Sequence, residues 1–128
     1  MQTVTHDRVD GIYAPTTDYA HALELRGVQR LLFTAGTMGL DPAGGAGASL
    51  DEQLALVWAN LRAILAAADM TVDDIVRVTS YLRDGAYAEA NAHARVAALG
   101  GRRVPTTAIV VGTLSGDWLV ELEIVAAA

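Results

Sequence analysis

Two periodicities organise this chain. Apolar residues at Leu54, Val57, Trp58, Leu61, Ile64, Leu65 and Ala68 follow the i, i+3, i+4, i+7 spacing that gathers them into one stripe of an α-helix. Ser49-Leu50-Asp51-Glu52, just before, has the S-x-x-E form of a capping box, so the helix is predicted to start there. Thr71-Val72-Asp73-Asp74 is predicted to be a capped turn. From Ile75 to Leu82 the period drops to two and the residues are β-rich, which predicts a strand. Ala86 to Leu99 is alanine-rich and reads as a second helix, stopped by Gly100-Gly101.

The remaining segments alternate as strands do. In Tyr19–Arg26, Tyr19, His21, Leu23 and Leu25 share one face, and Ala20, Ala22, Glu24 and Arg26 the other. Gly27–Arg30 turns the chain, and Leu31–Ala35 reads as a buried strand ending at Gly36. Thr107–Leu114 is a predicted strand, Ser115-Gly116-Asp117 a turn, and Trp118–Ala126 the last strand. In that strand Trp118, Val120, Leu122 and Ile124 point one way, and Leu119, Glu121, Glu123 and Val125 the other. Residues 1–17 read as a short arm or edge strand.

These elements predict one α+β domain over residues 1–128: a single sheet of about six strands with two helices on one face. The other sheet face still carries apolar residues and needs a cover. In a chain this short, a second copy of the chain is the expected cover. A hydrophobic content of 52% and a mean hydropathy of +0.30 agree with apolar surface closing between subunits.

Composition narrows the chemistry. The absence of cysteine rules out disulfides, thiolate nucleophiles and cysteine-ligated zinc. All nine basic residues are arginine, so neither a Schiff-base lysine nor a P-loop lysine is possible. The net charge of -6 and scattered arginines argue against nucleic acid as a partner. Arg102-Arg103 is the sole basic pair, read as a solvated loop. No run approaches the roughly 20 apolar residues of a membrane span, and the first eight residues carry no signal-peptide core. A cytoplasmic protein is expected. The glycines of Gly39–Gly47 lack the spacing of a phosphate-binding loop, and His6, His21 and His93 lack ligand spacing, so neither a cofactor nor a metal is expected.

Five segments, in order, resemble the Rid family (reactive intermediate deaminases, the YjgF/YER057c/UK114 or L-PSP group). Asp18-Tyr19-Ala20-His21-Ala22 resembles that family's Pro-Tyr-Ser-Gln-Ala. Phe33-Thr34-Ala35-Gly36-Thr37-Met38-Gly39-Leu40-Asp41-Pro42 resembles its Phe-Thr-Ser-Gly-Gln-x-x-Leu-Asp-Pro. Gln53 and Asn60-Leu61 match its helix entry and central Asn-Leu. Asp73–Leu82 matches its Asp-Asp-Val-Val-Lys-x-Thr-x-Phe-Leu, and Val120-Glu121-Leu122-Glu123 its Val-Glu-Ile-Glu. The resemblance implies a chorismate-mutase-like fold and a homotrimeric barrel with small-molecule clefts between subunits. It also implies hydrolysis of 2-enamine or 2-imine acids to 2-keto acids and ammonia without metal or cofactor.

One departure dominates. Val104-Pro105-Thr106-Thr107-Ala108 stands where the family has Pro-x-Arg-Ser/Thr, and Thr107 takes the place of the arginine that forks onto the substrate carboxylate. A threonine supplies neither charge nor fork. Arg103 lies about 13 Å away along an extended chain, too far to replace it without a kink at Pro105. The expected activity is therefore altered chemistry on a neutral or bulkier imine, enamine, amide or carbamate, of the kind a biosynthetic pathway would supply. The alternatives are an ordinary 2-imino-acid deaminase using another cation, and a non-catalytic trimeric binding or regulatory protein. By resemblance Glu121 and Tyr19 are the expected catalytic residues: Glu121 directs water or acts as general base, and Tyr19 shapes the pocket. Bland readings are a rim glutamate and a subunit-seam aromatic. His21, Gly36, Asn91 and Thr107 are the expected substrate-binding positions. Asn91 is read chiefly as a polar helix-surface residue, and Ala35 in place of serine makes the pocket more apolar.

Overall fold

The computed structural model describes residues 1–128. Strands β1 (Gln2–His6) and β2 (Ala22–Arg26) form an antiparallel two-stranded sheet. Strands β3 (Leu31–Phe33), β4 (Thr37–Met38), β5 (Ile75–Leu82), β6 (Thr106–Val110) and β7 (Val120–Ala127) form a separate five-stranded sheet. Its order is β3-β7-β5-β6, with β4 pairing β7 beyond the end of β3. Only β5 and β6 run parallel, joined through helix α2 (Ala88–Ala98). The single six-stranded sheet expected from the alternation is thus a five-stranded sheet and a hairpin. Tyr19 to His21 precede β2 rather than forming part of it.

Helices α1 (Leu50–Ala67) and α2 cover one face of the larger sheet. Beneath them lie Val120, Leu122, Ile124 and Ala126 of β7 and Ile75, Val78 and Leu82 of β5, all buried. Leu54, Val57, Trp58, Leu61 and Leu65 of α1 fill the same core. Burying each such side chain contributes about 1.5–3 kcal/mol, which is why the stripe outweighs local propensity. Ile64 is the exception, exposed beside the loop that follows β4.

The helix ends follow from their sequence. The Ser49 hydroxyl accepts the Glu52 N–H at 3.2 Å, while the Glu52 carboxylate accepts the N–H of Ala48, one residue before the cap. The expected reciprocal box is therefore offset by one position. At its C-terminus α1 closes with the Met70 N–H on Leu65 O and the Asp69 N–H on Ala66 O. Asp69 adopts φ 53°, and Met70 is buried, the arrangement of a Schellman motif. Helix α2 ends the same way through Gly100, at φ 62°. It begins at Ala88, after a 3₁₀ turn over Gly85–Tyr87, two residues later than its composition suggested.

The opposite sheet face is open. Phe33, 69% exposed, and Leu31, 55% exposed, lie on it beside Val125, with Ile109 farther across. The strand expected to be buried at Leu31–Ala35 is therefore a half-open edge. No helix is long and apolar enough to cross a membrane.

Candidate functional site

Glu121 stands on the open face because β7 alternates: Val120 and Leu122 point into the core, so Glu121 and Glu123 point away. Register then sets their neighbours. Tyr81 pairs with Glu121 on one side and Ile109 on the other, and Thr79 pairs with Glu123 and Thr107. Directly paired residues share a face, so Glu121, Glu123, Tyr81, Thr79 and Thr107 stand together on it.

The second wall comes from a break between β3 and β4. Phe33 pairs with Val125 and Thr37 with Leu122, so four steps along one strand face three along the other. This bulge carries Ala35 and Gly36. Thr34 pins it, its N–H on Ile124 O at 3.1 Å and its hydroxyl accepting the Ile124 N–H at 3.0 Å. The Glu121 carboxylate lies against Gly36 so closely that a Cβ there would overlap Glu121 Oε1. Glycine lets the carboxylate rest in this place; no unusual backbone conformation calls for it.

Two polar residues of α1 hold both walls. Buried Gln53 donates to Gly47 O at 3.0 Å and Asp117 O at 2.8 Å, and accepts the Leu119 N–H at 2.9 Å, fixing the entry to β7. Asn60 donates to Met38 O and Leu40 O at 3.1 and 2.9 Å, fixing the strand after Gly36. Arg83 Nη1 reaches Thr113 O, Thr113 Oγ1 and Ser115 O at 3.3, 2.8 and 3.3 Å, and so anchors the loop over the cleft. The result is a cleft of about 300 Å³ between Gly36, Tyr81, Thr113, Leu114, Glu121 and Glu123.

Inside it, the Tyr81 hydroxyl donates to Glu123 Oε1 at 2.7 Å. That bond, followed by burial, raises the Tyr81 pKa above its ordinary value, so the phenol stays protonated. Glu121 makes no such bond and faces the cleft free to hold a water. A carboxylate base beside a fixed hydroxyl dipole, next to a backbone turn, suits addition of water to an unsaturated carbon.

The other expected site residues fall elsewhere within the chain. Tyr19 and His21 do stack, with ring centroids 5.9 Å apart, and Tyr13 packs against His21 at 5.1 Å. His21 Nε2 lies 2.6 Å from Tyr13 O. These rings do not line the Glu121 cleft. His21 precedes β2, and the histidine that lies on a strand is His6 in β1, beside Glu24. Asn91 is buried on α2, on the helical side of the sheet, so its surface reading is wrong. Thr107 shares the open face but is exposed, two strands from Glu123. Arg103 is not free to replace an arginine at Thr107: it ion-pairs with Asp7 and donates to Tyr19 O. Arg102 donates to Val72 O and Ile75 O at 2.8 and 2.7 Å, so the basic pair is structural rather than solvated.

Tyr81 was missed. The alternation of Ile75–Leu82 puts it opposite Val78, Ser80 and Leu82, but only the β5–β7 register brings it to Glu123. The largest cavity, about 630 Å³, lies elsewhere, between α1 and α2, floored by Leu54, Trp58 and Ala94. Its rim groups, Asp51, Arg62 and His93, make no hydrogen bonds or ion pairs with one another.

Fold and cleft together define a small α+β protein whose open sheet face carries a carboxylate pair. The chain belongs to the Endoribonuclease L-PSP family, the Rid or YjgF group, whose family model matches residues 11–128. It is 30% identical over 115 residues to the RutC family protein PH0854 of Pyrococcus horikoshii, covering 88% of each chain. Among solved structures it is similar to YyfB of Yersinia pestis, a protein of unknown function of the conserved Rid family. That match has a TM-score of 0.84 and 25% identity, and covers 100% of both chains. RidA from an Antarctic Psychrobacter shares the fold at a TM-score of 0.73 and 23% identity, over 94% of this chain and 97% of its own.

Proposed function

We propose that this protein is a cofactor-independent enzyme of the Rid superfamily with altered chemistry, hydrolysing or rearranging an imine, enamine or amide-type metabolite at the Glu121 cleft. The observation that carries the reading is the Glu121 carboxylate, set against Gly36 in a cleft that contains no arginine. For an imine, the Glu121 carboxylate takes a proton from water as the oxygen–carbon bond forms. The proton then passes to nitrogen to give a carbinolamine; the hydroxyl proton follows it to nitrogen by way of Glu121 as the carbon–nitrogen bond breaks, and ammonia leaves with a carbonyl product. Tyr81 and Glu123 orient the water and the nitrogen.

In this reading the open face closes against further copies of the chain, as a homotrimer with clefts between subunits. The exposed Leu31, Phe33 and Ile109 support that assembly. The protein acts in the cytoplasm on a small molecule. Its acidity speaks against RNA as substrate, despite the family's name.

Ammonia release tests the reading. Enamines generated by threonine dehydratase should be hydrolysed no faster with the protein than without it, while neutral or cationic imines are turned over and Glu121→Gln abolishes that turnover. Rapid hydrolysis of the dehydratase product would reject altered chemistry. Turnover that survives Glu121→Gln would reject the site. Light scattering giving a single 13.4 kDa chain would reject the trimer.

A further inference from the structure

We propose that the groove between α1 and α2 is a self-association surface, on which the α1 helices of two copies pack antiparallel about a two-fold axis. The groove lies on the helical side of the sheet, opposite the Glu121 cleft. It is therefore a different surface from the open sheet face, and the inference does not depend on the proposed reaction.

Four residues of α1 line the groove: Asp51, Ala55, Trp58 and Arg62. Their spacing of four, three and four keeps them on one stripe of the helix and is the same in both directions. An isologous interface repeats every contact of residue i with j as one of j with i. A two-fold axis crossing α1 between Leu56 and Val57 therefore sets Asp51 of one copy opposite Arg62 of the other, and Ala55 opposite Trp58. Acid meets base twice, and small meets large twice. Asp51 and Arg62 are about 16 Å apart along the helix, so a parallel alignment would instead set aspartate on aspartate and arginine on arginine.

Both charges are free for this use. The charged residues of α1 are Asp51, Glu52 and Arg62. The Glu52 carboxylate accepts the Ala48 N–H, whereas Asp51 and Arg62 join none of the chain's ion pairs. His93, the remaining ionisable group of the rim, belongs to α2 and lies outside the stripe.

The shape also suits a second α1. Ala55, Ala59, Ala63 and Ala66 are all exposed, where a helix facing only water ordinarily carries charged and polar residues. They keep the ridge of α1 low, and Ala90, Ala94 and Ala97 keep the α2 wall low. The ridge of one copy can thus seat on the Trp58 floor of the other, which is 3% exposed. Helices about 27 Å long, seated in this way, bury on the order of 500 Å² per copy, below the roughly 800 Å² of a standard interface. The contact is therefore weak and concentration-dependent.

Sedimentation velocity on the full chain, over about a hundredfold range of concentration, should show a particle mass that at least doubles. Asp51→Arg alone and Arg62→Asp alone each set like charges against each other at both ends, and each should weaken association about tenfold or more. Mixed in equal amounts, the two variants should regain association to within about threefold of wild type, because each then meets its opposite. Raising the salt concentration should weaken the wild-type contact. Ala55→Glu, at an exposed helical position that glutamate tolerates, should abolish association and leave the helix content unchanged. A wild-type mass that stays constant overturns the proposal, as does wild-type association by either charge variant or by Ala55→Glu. Two folded charge variants that fail to recover on mixing overturn the two-fold pairing. Should a charge variant unfold, Ala55→Glu decides alone.

Discussion

Gly36 and Gly39 lie three residues apart, and alanine at each should fail in opposite ways. A Cβ at Gly36 would overlap Glu121 Oε1 and stand 2.9 Å from Cδ and 3.1 Å from Cγ, well inside the roughly 3.5–4.0 Å of an ordinary carbon contact. The obstacle is the end of a half-exposed, flexible side chain, so the carboxylate swings aside. Stability should change by about 0.5 kcal/mol or less, as for most surface substitutions. Displacing a reacting group by about 1 Å costs on the order of 100-fold in rate, or about 2.7 kcal/mol of barrier. A Cβ at Gly39 instead meets the Gln53 backbone, 2.6 Å from Cα, and overlaps its carbonyl. That residue sits inside α1 with three hydrogen bonds and cannot retreat. Gly39→Ala should therefore cost about 1–3 kcal/mol of overpacking. Urea unfolding separates the two, and steady-state turnover completes the pair. Gly36→Ala that unfolds as easily as Gly39→Ala, or that keeps kcat/KM within twofold of wild type, would refute the placement of Glu121.

Three further outcomes follow from named contacts. Alkaline titration should show one of the four tyrosines ionising after the others, because Glu123 raises the Tyr81 pKa. The stability this bond contributes is present below the ordinary tyrosine value and is lost as pH rises through the folded one. Glu123→Gln should bring that phenol back towards the rest, and four coincident titrations would show the bond does not form in solution. Arg95, only 6% exposed, pairs with Asp18 at 2.7 Å; the carboxylate left behind by Arg95→Met is 35% open to water, so the substitution should cost about 1.5–3 kcal/mol in urea unfolding, the range for losing hydrogen bonds to a charged group. Asp18 is held below its ordinary 3.8 by the Thr16 hydroxyl and then by Arg95. The stability it contributes is complete above that value and is lost as pH falls through the folded one. Acid unfolding of Arg95→Met should therefore be less steep than that of wild type. Thr107→Arg should create partial 2-imino-acid hydrolysis; a folded variant without it would show that one missing guanidinium does not define the site.

Local features were legible in the chain because they are set by near neighbours. The stripe from Leu54 to Leu65, the strand Ile75–Leu82, the alternation that turns Glu121 away from Leu122, and the stop at Gly100 all depend on spacing alone. Even the errors there are small: the α2 start moved by one 3₁₀ turn, and the Glu52 carboxylate chose Ala48 over Ser49. The site was legible only where a motif named it. Glu121 and Gly36 were singled out, but their contact arises from a bulge between β3 and β4, and no alternation records how many residues oppose three on another strand. Tyr81, 42 positions before Glu123, reaches it through the antiparallel register of β5 with β7. Arg103 looked free beside Arg102 and is engaged by Asp7, 96 positions away. Asn91 looked like surface and is buried. Periodicity tells which face a side chain takes; which other side chain it finds there depends on pairings closed across most of the chain, and those only the folded sheet supplies.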